Sequence, residues 1–240
     1  MCTVTYIPSA KGFYLTSNRD ERHTRMPALM PAVDKAHGIK LIYPKDATAS
    51  GTWIALKETG DAICLLNGAF EAHVPQPPYS RSRGLVVLDI VSQSNMTDGF
   101  NNADLYKIEP FTLVIVEQQK LYECRWDGSQ KFFLQLNGNQ SHIWSSSTLY
   151  PLATRLRRKQ WFDVWQTSIQ YPSPTDIFSF HLQTGDGDPH NDLVMNRGNE
   201  TFTVSVTGIS VIDGNMNMQY FDLLKNEITN IAFDNKLQRC

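Results

Sequence analysis

Met1-Cys2-Thr3-Val4-Thr5-Tyr6-Ile7, then Pro8-Ser9-Ala10-Lys11-Gly12, then Phe13-Tyr14-Leu15-Thr16-Ser17-Asn18 is the stretch on which the reading of this chain turns. Two β-branched and aromatic runs, 2–7 and 13–18, flank a segment that carries proline and glycine, which is the signature of a β-hairpin. With the turn centred near residue 10, paired positions add up to about 20 or 21. Cys2 then lies opposite Asn18 or Arg19, and the second strand ends in Asn18-Arg19-Asp20-Glu21.

A cysteine at position 2 has chemistry that an internal cysteine lacks. Methionine aminopeptidases remove Met1 when the next residue is small, and removal puts a thiol and a free α-amine on one residue. In an unstructured peptide the thiol titrates at about pH 8.5 and the amine at about 7.7–8.0, so at neutral pH the amine can serve the thiol as base. A guanidinium close by favours the thiolate, and Arg19 is placed for that. An adjacent carboxylate can hold the α-ammonium. The same Arg-Asp-Glu run is also what a solvated strand end looks like, with an ion pair of little value.

Outward from the hairpin, a loop carrying Pro27, Pro31 and Pro44 leads to strand-like runs at 39–43, 52–57 and 62–66, with a turn at 57–61. Asn67 closes the last of these, followed by Gly68-Ala69. An amide NH2 there can donate to a developing oxyanion, and an Asn-Gly turn is the alternative. The proline-rich stretch 74–79 leads into a helix at about 81–94. Strands follow near 111–116, 120–126, 131–135 and 142–145, with Trp126-Asp127-Gly128 as a hairpin turn. Ser145-Ser146-Ser147-Thr148 supplies a cap for a helix over 149–165. Within it, Arg155, Arg157, Arg158 and Lys159 read as one solvated face. A second helix runs from about Pro174 to Leu182, with Ser173 or Thr175 as its cap. Strands near 201–206, 208–213 and 217–222 complete an α+β pattern, read as one domain over 1–240.

Composition excludes several classes. The 240 residues carry 22 Lys plus Arg against 24 Asp plus Glu, and 41% are hydrophobic, so the chain is an ordinary globular one without the basic tract of a nucleic-acid binder. The apolar run 85–91 is far short of the ~20 residues that span a bilayer. The N-terminus lacks the basic and apolar regions of a signal peptide, so a cytoplasmic protein without stable membrane insertion is expected. Cys2, Cys64, Cys124 and Cys240 share no C-x-x-C spacing and the histidines form no H-E-x-x-H pair, so neither a metal nor a disulfide framework is expected. Cys64 and Cys124 read as small buried hydrophobes.

Met1-Cys2 opening a hairpin, Asn18-Arg19-Asp20-Glu21, Gly51-Thr52-Trp53, Asn67 closing a strand, and Ser82-Arg83-Gly84-Leu85 opening a helix together resemble the NRDE family, also called transport and Golgi organisation type 2. A serine-rich segment before a long helix, here 145–165, is similar too. The resemblance implies a four-layer αββα sandwich of the N-terminal-nucleophile (Ntn) hydrolase kind. It implies a cysteine amidohydrolase acting on a non-peptide C–N bond, with Cys2 as nucleophile and its own α-amine as base. Arg19 would polarise the thiol, Asp20 would orient the amine, and Asn67 would line the oxyanion hole. Strand alternation puts Glu21 on the face of Arg19, so Glu21 can take the place of Asp20. Glu21, Trp53 and Ser146 are the expected substrate-binding positions. No cofactor is implied, the expected partner is a small-molecule substrate or ligand, and a homo-oligomer is left open. The same scaffold also suits a non-catalytic binding or trafficking protein for a lipid, an acyl-thioester or haem. The chain departs from the family pattern at Ser50, where a glycine is frequent. It departs again at Ser146, where an asparagine is frequent, and at Val204, where some members carry arginine.

Overall fold

The computed structural model describes residues 3–233. The opening hairpin is β1 (Thr3–Ser9) and β2 (Gly12–Arg22), paired antiparallel from Thr3↔Asn18 to Ser9↔Gly12, which is the larger of the two expected sums. Cys2 lies outside the described residues. Both faces of the hairpin are covered, and its side chains divide by alternation. Val4, Tyr6, Phe13 and Leu15 enter the main core, whereas Ile7 and Tyr14 join Phe162, Ile177 and Phe180 in a second cluster. Each fully buried aliphatic side chain contributes about 1.5–3 kcal/mol.

The chain then forms β3 (Leu29–Ala36), β4 (Ile39–Lys45), β5 (Ile54–Lys57), β6 (Ala62–Asn67), the helices α1 (Arg83–Val91) and α2 (Met96–Asn102), β7 (Phe111–Glu117), β8 (Lys120–Trp126), β9 (Lys131–Leu136) and β10 (His142–Ser145). The helices α3 (Leu152–Ser168) and α4 (Pro174–Gln183) follow, then β11 (Asn196–Arg197), β12 (Thr201–Ile212), β13 (Asn215–Asp222) and β14 (Glu227–Ala232). Among the described residues, one sheet has the order β10-β1-β2-β12-β13-β14 with β11 on β12, and the other is a meander from β3 to β9. The helices α1 and α2 cover the meander through β5, β6 and β7, while α3 and α4 cover the first sheet through β10, β2 and β12. The sheets meet face to face, with β1 and β2 against β6 and with β13 and β14 against β3. This is the four-layer αββα sandwich. No helix among the described residues is long and apolar enough to cross a membrane.

Several local expectations are corrected. The segment read as a proline loop before residue 39 contains β3, an edge strand whose Pro31 falls in the register shift between Leu29 and Ala32. An edge bulge tolerates a residue without an N–H. Two strands expected at 201–206 and 208–213 are the single strand β12, because Gly208 marks a close approach and not a break. A Cβ there would stand 2.5 Å from the Phe178 ring. The α2 helix and β14 were not expected. Ser173, not Thr175, caps α4, with a reciprocal capping box to Asp176. The serines at 145–147 do not cap α3, which starts at Leu152 behind Pro151 with no side-chain cap.

Two of the short motifs prove to be one contact. Gly51 packs against the start of α1 so closely that a Cβ would sit 2.3 Å from the carbonyl carbon of Gly84, and the Thr52 N–H donates to Gly84 O at 3.1 Å. Ser50 holds a left-handed φ of 59°, the conformation that a glycine adopts without strain. Gly51→Ala is therefore expected to lower stability by about 1–3 kcal/mol through overpacking. Gly138→Ala, whose Cβ would meet atoms only at 3.6 Å and beyond, stays near wild type. Urea unfolding of the two variants checks this.

Candidate functional site

The tetrapeptide at the end of β2 serves two faces of the first sheet. Arg19 points between the sheets, where its side chain is 3% exposed. It donates from Nη2 to Asp46 Oδ2 at 2.8 Å and to Glu21 Oε2 at 3.3 Å, and its guanidinium lies 4.4 Å from the centre of the Trp53 ring. Asp46 also accepts from Arg25 Nε at 2.9 Å and Nη2 at 3.0 Å, and from the backbone of Thr48 and Ala49. Burial pushes the Asp46 carboxyl up. The hydrogen bonds from Arg25 and Ala49 and the charges of Arg25 and Arg19 outweigh it, and hold the carboxyl below its ordinary value. Asp46 and Arg25 were not singled out in the sequence. An aspartate followed by Ala47-Thr48-Ala49, in a loop leading to Gly51-Thr52-Trp53, is the signal that carries Asp46.

Beside this pair lies a cavity of about 160 Å³ whose walls include Arg19, Glu21, Asp46, Trp53, Asn67 and Arg83. The structure thus brings together four of the expected positions: Arg19, Glu21, Trp53 and Asn67. Arg83, from the first turn of α1, is fixed by Glu109 at 2.9 Å and by the carbonyl of Pro110 at 3.2 Å. Asn67 ends β6 opposite Phe111, and the left-handed residue of the Asn-Gly pair is Gly68, at φ 82°. Ser146 is buried beneath Asn67 and is not among the described walls of the cavity. Its hydroxyl donates to the Asn67 carbonyl at 2.8 Å.

Asn18 and Asp20 point the other way, under α3 and α4. Asp20 accepts from Tyr150 OH at 2.7 Å and Thr203 Oγ1 at 2.5 Å. Asn18 donates its amide N–H groups to the carbonyls of His181 and Leu193, both at 3.0 Å. Its Oδ1 must therefore accept from His181 Nδ1, with which it is in contact. That fixes the tautomer, so Nε2 accepts from Thr5 Oγ1 at 2.7 Å. Arg158, expected on a solvated helix face, is instead completely buried. It donates to Thr3 Oγ1 at 2.5 Å and to the carbonyls of Asn191 and Asp192. Its guanidinium also stacks 3.7 Å from the Tyr150 ring. None of Arg158, His181, Tyr150 and Thr203 stands out in the sequence, because each owes its place to a contact more than a hundred residues away in the chain. Among the described residues, no group of three or more His, Cys, Asp or Glu side chains converges as a metal site would require.

The profile of the family described as Transport and Golgi organisation 2 matches residues 1–171. No curated protein matches the chain. Among solved structures, the chain is similar to the Caenorhabditis elegans ortholog of N-acylethanolamine-hydrolyzing acid amidase, at a TM-score of 0.60 and 12% identity, covering 89% of this chain and 93% of that one. It is also similar to a mutant of conjugated bile acid hydrolase from Clostridium perfringens, at a TM-score of 0.58 and 11% identity, covering 98% and 97%. A second variant of that hydrolase gives 0.56 and 12%, covering 100% and 99%.

Burial, followed by the charge of Arg158, lowers the pKa of His181 from 6.5 to about 3. The unfolded chain takes up this proton near pH 6.5 and the folded one does not. The stabilisation is therefore complete above pH 6.5 and is lost as pH falls toward 3, by up to about 1.4 kcal/mol per pH unit. In His181→Gln, the loss of unfolding free energy between pH 7 and pH 5 is expected to be smaller than in wild type by about 2 kcal/mol. Denaturant titrations at the two pH values measure the difference.

Proposed function

The chain belongs to the Transport and Golgi organisation 2 family, and on that premise we propose that it is an N-terminal-nucleophile cysteine amidohydrolase. It would act on a non-peptide C–N bond of a small molecule, with Cys2 as nucleophile after Met1 removal. The observation that carries the reading is Arg19. This guanidinium is buried in the wall of a cavity, one strand over from the start of β1 and shared with a single loop carboxylate. In the register of the hairpin Thr3 pairs with Asn18, the residue next to Arg19. Cys2 is one peptide unit, about 3.8 Å between Cα atoms, from Thr3. Two of the fold relatives are hydrolases by name, one of them an amidase, which supports the same class.

In this reading the α-amine of Cys2 takes the thiol proton, and Arg19 favours the thiolate formed. The sulfur attacks the amide carbonyl, and the Asn67 amide donates to the oxyanion. Collapse breaks the C–N bond, and the α-ammonium returns its proton to the departing amine. Water then adds to the acyl-thioester with the α-amine as base. The carboxylic acid leaves and the thiol is restored. Asp20 orients the amine in this reading, with Glu21, which lines the cavity, as the alternative. The chain works as one unit over residues 1–240, in the reducing cytoplasm that keeps the thiol free.

Burial pushes the thiols of Cys64 and Cys124 up to about 12, so neither competes for an alkylating agent at neutral pH. Peptide mass analysis is expected to show Met1 absent and Cys2 alkylated well below pH 8. Cys2→Ala should abolish turnover in a screen of N-acyl amides, a fall of at least about a thousandfold, with the fold intact by circular dichroism. Retained Met1, or undiminished hydrolysis by Cys2→Ala, would sink the reading.

A further inference from the structure

Arg158 is the largest side chain buried completely among the described residues, and no carboxylate stands within ion-pair distance of it there. A buried cation without a counter-ion is costly, and an apolar residue of similar size would serve a helix-to-sheet contact better. The guanidinium is instead consumed by hydrogen bonds. Nη2 and Nε reach the carbonyl of Asn191 at 3.0 and 3.2 Å, and Nη2 reaches that of Asp192 at 2.7 Å. Nη1 is left for the hydroxyl of Thr3. Three donors thus anchor the fork to a loop, and the fourth contact holds the first described residue of β1.

Among the described residues, Arg158 is the side-chain hydrogen-bond partner of Thr3, which is fully buried. Thr3 pairs with Asn18 on one side and Ser145 on the other. The Arg158 contact fixes the Thr3 side chain from the helix layer, one residue along the chain from the thiol.

We propose that Arg158 is a positioning residue for the nucleophile, acting through the hydroxyl of Thr3, the residue that follows Cys2 in the chain. This rests on the reading of Cys2 as nucleophile. In this proposal Arg158 acts through Thr3 and not on the reacting atoms. Its role is to keep the thiol and α-amine in one arrangement, and in this sandwich that role comes from α3, remote in sequence from the nucleophile.

The test is the rate of Cys2 alkylation by iodoacetamide at pH 7, read by peptide mass in protein lacking Met1, with melting temperature measured alongside. Thr3→Val removes the hydroxyl without changing side-chain shape and is expected to slow Cys2 about tenfold. Thr3→Ser restores the hydroxyl and returns the rate to within about twofold of wild type. Arg158→Met slows Cys2 to the same extent as Thr3→Val, and the double variant is no slower than either single, because both break one link. Wild-type rates in Thr3→Val, or slowing that adds in the double variant, overturn the proposal whatever happens to the melting temperature. A wild-type Cys2 that reacts like an ordinary thiol overturns both this inference and the hydrolase reading. An activated wild-type Cys2 with unaffected variants overturns this inference alone.

Discussion

A guanidinium buried between two β-sheets is costly without partners for its charge, and the carboxylate that Arg19 draws in organises one end of the molecule. The counter-ion is Asp46, which comes from the loop between β4 and β5 on the opposite sheet. To reach Arg19 the loop must fold back over the sheet edge. It does so through the backbone bonds Ser50 N to Asp46 O and Asp46 N to Gly51 O. The tight return needs a left-handed residue at position 50 and no side chain at position 51, and the space left at Gly51 is filled by the start of α1. Arg19, Gly51-Thr52-Trp53 and Ser82-Arg83-Gly84 are thus three views of one constraint, and the cavity is the volume they leave between them. Arg25 on Asp46 and Glu21 on Arg19 extend the pair into a four-residue charge network at the cavity wall.

The alternate residues of the same strand meet a different demand. Under α3 and α4 the hairpin presents Thr3, Thr5, Asn18 and Asp20, all buried and all polar. Each finds a partner in a helix or in the segment behind it: Arg158 for Thr3, His181 for Thr5 and Asn18, and Tyr150 with Thr203 for Asp20. A satisfied network of this kind is stiff and specific, because an unmet donor in a low-dielectric interior is expensive. It fixes the hairpin in register against the helix layer more narrowly than interchangeable aliphatic contacts would.

The legible parts of the chain were those governed by local rules. β-Branched and aromatic runs located β1, β7, β8, β9 and β10 to within two residues at either end, while β2 continues four residues past its expected run. The arithmetic of the hairpin turn came within one residue of its register, and alternation placed Arg19 and Glu21 on one face. What escaped was decided at long range. Leu29–Ala36 does not look like a strand because Pro31 argues against one, until an edge position makes it harmless. The cluster 155–159 looked solvated because charge is normally exposed. The carbonyls of Asn191 and Asp192 that receive Arg158 lie more than thirty residues away and leave no trace in the helix itself. Asp46 is marked in the sequence only by the Ala47-Thr48-Ala49 loop that follows it. Of the cavity walls, then, Arg19, Glu21, Trp53 and Asn67 could be read from the sequence, whereas Arg25 and Asp46 could not.

The distribution of buried polarity has a meaning beyond stability. Apart from the hairpin, the β6 and β7 strands of the meander show what this fold uses when packing is the sole demand: Ile63, Cys64, Leu65, Leu66, Leu113, Val114, Ile115 and Val116, apolar on both faces. The first sheet has the same central position and the same two covered faces in β1 and β2, yet fills one of them with hydroxyls, an amide and a carboxylate. Aliphatic side chains at those positions would bury as much surface at lower desolvation cost. A chain selected for packing alone has no reason to keep the polar set, whereas one that needs a single orientation at the start of β1 does. The polar burial, like the paired Arg19 beside it, concentrates at the end of the hairpin where the chain begins.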